Sequence, residues 1–176
     1  RSHNEMNITD SDTIGMLGTC MNAICLKAAL KEIGVKATVM SSINLKFTED
    51  YITSRAEELI KDEIIILAGG LGVPALSTDT TAAVRGAELK VDYILKGTNV
   101  DGVYSNDPKI DKYAFKYDKI SYRFALENHL RIMDTSAFEI CEKNDIKLII
   151  YNANDLNNII KVCNGETIGT IVEKYE

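Results

Sequence analysis

Residues 68–108 read AGGLGVPALSTDTTAAVRGAELKVDYILKGTNVDGVYSNDP, and the fold of the chain is decided there. The run IIIL at residues 64–67 just before it reads as a strand buried on both faces. Gly69, Gly70, Gly72 and Pro74 extend neither strand nor helix, so they make a loop where backbone approaches a ligand closely. Ser77, Thr78, Asp79 and Thr80 then offer caps for a helix running to about Glu88. A helix start with open N–H groups and hydroxyls suits an anion such as phosphate. The same series also fits an ordinary capped helix after a glycine turn. Residues 93–96 form a short strand, and residues 97–108 alternate turn formers with Val100, Val103 and Tyr104, which predicts an exposed excursion.

Working outward, Leu17, Met21, Ile24 and Ala28 recur at helical spacing from Asp12 to Ile33, with Asp12 as a cap and Gly34 as the stop. Residues 36–42 predict a strand and residues 49–61 a helix. Residues 134–144 predict a helix, 147–152 a strand, 156–163 a helix and 167–172 a last strand. Strands alternating with helices imply an α/β fold whose sheet is mostly parallel and covered on both faces. Residues 1–11 read as a polar loop that includes His3. Residues 110–131 read as a packed, partly exposed connection, with His129 at a helix end or loop and no chemistry assigned to it. No repeat, low-complexity tract or Pro-rich linker marks a second domain.

A length of 176 residues with 45% apolar composition gives enough core to fold without staples. The net charge of −6 argues against nonspecific binding to nucleic acid. Cys20, Cys25, Cys141 and Cys163 form no C-x-x-C pair and have no His at ligand spacing, so they read as small packing residues in a reducing compartment, which points to the cytoplasm, with an organelle as the alternative. No run reaches the ~20 apolar residues of a membrane-spanning helix.

Residues 95–108, LKGTNVDGVYSNDP, resemble the ATP-site signature of the amino-acid kinase family, which in the UMP kinase branch runs L-K-A-T-x-V-D-G-V-Y/F-x-x-D-P; Gly97 departs from it. The resemblance extends to DTIGMLGTCMN at residues 12–22, STDTTAAVRG at 77–86, IMDTSA at 132–137, IYNAN at 150–154 and GETIGTIV at 165–172. It implies a three-layer αβα sandwich of the acetylglutamate kinase-like type, in which residues 1–176 are a single domain. The family's first strand, with its K-x-S-G-E loop, has no counterpart, so a chain truncated at its N-terminus is expected.

By this resemblance the enzyme transfers the γ-phosphoryl of ATP to UMP, with Mg2+ carried on the nucleotide and no metal held by the protein itself. Asp79 matches the carboxylate that orients catalytic lysines; its ordinary role is a helix N-terminal carboxylate stabilised by the dipole. UMP is expected at Arg1, Asp12, Gly70, Leu71, Gly72, Val73, Ser77 and Thr78. ATP is expected at Lys96, Thr98, Asn99, Asp101, Gly102, Tyr104 and Asp107. Asp101-Gly102 also fits a type I′ turn, and Asp107-Pro108 a plain turn. The branch assembles as homohexamers, so a homo-oligomer is implied, with nucleotides as partners and neither nucleic acid nor membrane. Leu71 and Val73 replace a Thr and an Asn of the family, and Ala75-Leu76 two Phe. That leaves open a kinase for an amino acid, carbamate or other small acceptor, and a silent nucleotide-binding subunit remains the alternative if the protein begins at Arg1.

Overall fold

The computed structural model describes residues 7–130 and 132–175. Arg1, expected at the acceptor phosphate, lies outside them, as does His3. The chain divides into two compact units, Arg1–Thr81 and Ala82–Glu176.

The first unit is built on helix α1, Ile8–Glu32. Asn7 caps it through its side chain, which accepts from the Thr9 N–H at 3.1 Å. The helix therefore begins within the segment expected to be loop, and Asp12 stands in its second turn rather than at its cap. The expected core stripe is also inverted. Leu17, Met21 and Ile24 are exposed, while Cys20 and Ala23 are buried against Val39, Ile66 and Ala68. Small side chains on the inner face let the helix axis approach the sheet closely, which leaves the larger ones outside. In length and composition α1 meets the requirement for a membrane span, contrary to the sequence expectation, with its inner face packed on protein.

Strand β1 (Ala37–Ser41), strand β2 (Glu49–Asp50), helix α2 (Thr53–Leu59) and strand β3 (Ile64–Ala68) follow. The sheet has the order β2-β1-β3, all parallel, with Ala37 opposite Ile64 and Ser41 opposite Ala68. The helix expected over residues 49–61 thus begins only at Thr53. Ile64 is 47% exposed and Leu67 37%, so β3 is not buried on both faces. Helix α3, Thr78–Glu88, crosses from the first unit into the second.

The second unit contains β4 (Tyr93–Thr98), β5 (Val103–Tyr104), β6 (Lys116–Tyr117), β7 (Lys119–Ser121), α4 (Tyr122–Glu127), α5 (Thr135–Lys143), β8 (Lys147–Asn152), α6 (Asn157–Cys163) and β9 (Thr170–Glu173). Its sheet runs β4-β8-β9-β7, parallel at β4/β8 and β7/β9 and antiparallel at β8/β9. Strands β5 and β6 form a separate antiparallel pair. The core gathers Tyr122, Phe138, Ile146, Leu148 and Val172. The rings of Tyr122 and Phe138 meet edge to face at 5.4 Å, and the Tyr122 hydroxyl donates to the Ile146 carbonyl at 2.7 Å, so a buried polar group is satisfied. Asp134 starts α5 by accepting from the Ala137 N–H at 2.9 Å.

Candidate functional site

The loop at residues 69–77 leaves the C-terminal end of β3 and is laced to its surroundings by short bonds. The Gly69 N–H donates to Thr19 Oγ1 at 2.9 Å, and the Ser42 hydroxyl donates to the Gly70 carbonyl at 2.7 Å. Gly72 has φ +79, and a Cβ there would lie 2.7 Å from the Ser42 carbonyl oxygen, so only glycine fits. The Ala75 N–H donates to Asp12 Oδ2 at 2.8 Å, which holds a non-glycine residue at φ 67.

Of the residues expected around the acceptor, Asp12, Gly70, Leu71, Gly72 and Val73 therefore belong to this loop and its tether. Val73 is 50% exposed and Leu71 is partly so, which presents apolar side chains beside a polar loop. Ser77 caps α3: its Oγ accepts the Thr80 N–H at 2.9 Å. Thr78 is exposed at the helix start, and Asp79 lies half-buried in the first turn.

In the second unit, Lys96 Nζ donates to the Ile132 carbonyl at 2.7 Å. Gly97 answers for the one departure in its motif: a Cβ there would stand 2.9 Å from Ala153 Cβ and 3.2 Å from the Tyr151 hydroxyl. Thr98 Oγ1 donates to the Val100 carbonyl at 2.8 Å and accepts its N–H at 3.2 Å, closing the turn in which Asn99 is exposed. Asp101 has negative φ, so Asp101-Gly102 is not a type I′ turn. Instead Asp101 accepts the Tyr104 hydroxyl at 2.8 Å and lies 3.5 Å from Lys116 Nζ. The Tyr104 bond is the main cause that holds the Asp101 carboxyl below its ordinary range, and the same bond pushes the Tyr104 hydroxyl up. Gly102, at φ +154, passes so close to Thr170 that a Cβ would lie 2.6 Å from its Oγ1. Asp107 Oδ1 accepts the Lys109 N–H at 2.8 Å, as a side-chain turn does.

A cavity of about 540 Å³ opens over this loop. Thr98, Gly102, Tyr104 and Asp107 line it, whereas Lys96, Asn99 and Asp101 do not. Its apolar wall comes from Val100, Val103, Leu130, Ile132 and Ile150. Asn106, Lys109, Asn128 and His129 also line it, and sequence reasoning assigned no role to any of them. Asn128 and His129 arrive on the turn after α4, an element too short to announce itself by periodicity. Among the described residues no cluster of three or more His, Cys, Asp or Glu is placed to hold a metal.

The profile of the amino acid kinase family matches residues 1–152, and the chain belongs to that family. Within it, the chain is similar to uridylate kinases. It is 46% identical to the uridylate kinase of Limosilactobacillus reuteri (strain DSM 20016), over 96% of this chain and 71% of that protein. It is 41% identical to the uridylate kinase of Erythrobacter litoralis (strain HTCC2594), with the same coverage. The UMP kinase structure from Ureaplasma parvum superposes with a TM-score of 0.91 at 35% identity, over 96% of this chain and 73% of that one. The UMP kinase structure from Bacillus anthracis gives a TM-score of 0.92 at 30% identity, over 97% and 72%.

Proposed function

We propose that this chain is a UMP kinase, forming UDP and ADP from UMP and ATP, and that its two compact units serve one kinase domain. The observation that carries this reading is the 46% identity to a uridylate kinase over 96% of the chain, which takes in both the residue 69–77 loop and the cavity.

A 5′-phosphate oxygen of UMP attacks the γ-phosphorus of ATP, and the bond from that phosphorus to the bridging oxygen breaks as ADP leaves. There is little covalent work for the protein, so holding the two oxygens in line and neutralising charge are the main tasks. In this reading the residue 69–77 loop takes UMP. Its phosphate lies at the start of α3 by Ser77 and Thr78, where N–H groups and the helix dipole favour an anion. Asp12 fixes the loop through Ala75 and, together with Arg1, serves the acceptor, and Asp79 is the catalytic carboxylate that orients the catalytic lysines. The cavity over Thr98, Gly102, Tyr104 and Asp107 takes the adenosine of ATP. Lys96, Asn99 and Asp101 support it from the strand end and turn, with Lys96 supplying positive charge toward the phosphates. Mg2+ enters on the nucleotide and neutralises phosphate charge when bound.

The exposed apolar face of α1 suits burial against other copies of the chain, and we include a homohexamer in the cytoplasm, away from membranes and nucleic acid, in the same proposal. The apolar Leu71 and Val73 favour one second reading, a different small acceptor at the same loop.

Calorimetric titration of UMP, CMP and AMP, and then of ATP with magnesium, tests this directly. Saturable UMP binding that CMP and AMP fail to reproduce is expected. ATP binding with no UMP response would move the function to another acceptor.

A further inference from the structure

We propose that Asn106 and Asn128 read the base of the donor nucleotide, their two carboxamide oxygens accepting the exocyclic amino group of adenine. The inference rests on placing the donor nucleotide in the cavity over residues 98–109, as set out above.

Both side chains line that cavity, from separate segments of the chain. Each has its amide nitrogen committed within the protein. Asn106 Nδ2 donates to Asp111 Oδ2 at 2.8 Å, and Asn128 Nδ2 donates to the Phe124 carbonyl at 2.9 Å. Each amide nitrogen uses one of its two N–H groups within the protein, which fixes the carboxamide, and no group among the described residues donates to either oxygen, so each oxygen remains to accept from a ligand.

The backbone beneath Asn128 is fixed as well. The His129 N–H donates to the Leu126 carbonyl at 3.1 Å and the Leu130 N–H to the Ala125 carbonyl at 2.9 Å, a double closure of the α4 end with His129 at φ 52. Lys90 and Asp145 hold the same left-handed position after α3 and α5, so the strain is a habit of this chain. What distinguishes the α4 turn is that it faces the cavity. The Tyr104 hydroxyl is spent on Asp101 and offers no competing donor. An aminopurine brings two N–H donors to these acceptors, and a purine without the amino group brings a bare C–H and leaves both acceptors unmet.

The test compares ATP with purine riboside 5′-triphosphate, the same nucleotide without its 6-amino group, by calorimetry on the full chain. The native protein should bind ATP about tenfold more tightly. In Asn128→Leu and Asn106→Leu that ratio should fall toward one because ATP weakens, while the analogue, which never used the acceptors, keeps its affinity. Equal weakening of both nucleotides would mean that the two residues only support the fold, and would overturn the proposal. Val100→Trp, which fills the cavity, separates this from the underlying placement. If it abolishes ATP binding while the native protein shows no preference between the nucleotides, the cavity stands and base reading falls. ATP binding that survives Val100→Trp would remove the donor site from this cavity, and the proposal with it.

Discussion

Asp12 Oδ2 accepts the Ala75 N–H at 2.8 Å, tying α1 to a loop residue sixty-three positions away that sits at φ 67. A residue with a Cβ occupies that conformation only when its surroundings hold it there. Asp12→Ala removes the tether, so we expect a loss of about 1 kcal/mol and a Tm lower by about 2–4 °C. UMP affinity should fall about tenfold, as a loop freed of its tether must be ordered again on binding. Calorimetry on the variant checks this, and unchanged UMP affinity would free Asp12 of any role in shaping the acceptor loop.

Thr170 is fully buried, and its Oγ1 accepts the Val103 N–H at 2.8 Å while donating to the Tyr117 carbonyl. Thr170→Val conserves shape and strands both backbone groups, at a cost of about 2 kcal/mol or more. Thr170→Ser should cost clearly less because it keeps the hydroxyl. Gly102→Ala, with its Cβ 2.6 Å from Thr170 Oγ1, should be at least as harmful as Thr170→Val. Urea midpoints with matched m-values rank the three, and a Gly102→Ala protein as stable as the native one would contradict the close approach.

The thiols should fall into two classes. Cys25 and Cys163 are exposed, and Cys20 and Cys141 are buried. Burial pushes the Cys141 thiol from 9.0 up to about 11. At mildly alkaline pH a thiol reagent should consume Cys25 and Cys163 at once, and the other two only in denaturant. The folded chain holds the Cys141 proton more tightly than the unfolded chain. Its contribution to stability is therefore complete below pH 9 and is lost as pH rises toward 11. Rapid reaction of four thiols in the native protein would refute this.

Asp101 gives the opposite slope. Its carboxyl is held below its ordinary value chiefly by the Tyr104 hydroxyl, with Lys116 assisting. Its contribution is present above the unfolded carboxylate value and disappears as pH falls through the folded one. The group is more than a third exposed, so solvent screens the effect and it should be small. In Tyr104→Phe the Asp101 titration, followed by NMR, should move upward. A titration that stays in place would assign the shift to Lys116 instead.

Met21 is 69% exposed in the middle of an apolar stripe that includes Ile14, Leu17 and Ile24. If that face is covered by other copies of the chain, Met21→Glu should lower the assembly mass seen by sedimentation while leaving the melting of the isolated chain little changed. An unaltered assembly would locate the contact elsewhere.

Long periodic or continuous apolar segments were legible in the sequence. Residues 147–152 form a strand with the expected bounds, and residues 134–144 a helix with both end residues as caps. The core face of α1 was not legible, because hydropathy ranks Leu17 and Met21 above Cys20 and Ala23, whereas close packing on a sheet selects the small side chains. Strands β6 and β7 span two and three residues, too few to carry a period, and so residues 110–131 read as a connection. For the candidate site, Gly70 to Val73 and Asn99 to Gly102 lie outside helix and strand as expected, whereas β4 runs on through Gly97 and Thr98 and Tyr104 ends β5. The far cavity wall, Asn128, His129, Leu130 and Ile132, stayed hidden because it depends on where a six-residue helix ends.

The missing methyl at Gly97 has a consequence for how this sequence can change. Ala153 and Tyr151 stand within 2.9 and 3.2 Å of where that methyl would be, so the neighbouring strand end has closed over the space. A change to alanine made alone meets a wall of Cβ and hydroxyl. Made after Tyr151→Phe and a widening at residue 153, it meets room. Alanine at residue 97 is therefore reached in one order only: the neighbour must yield first.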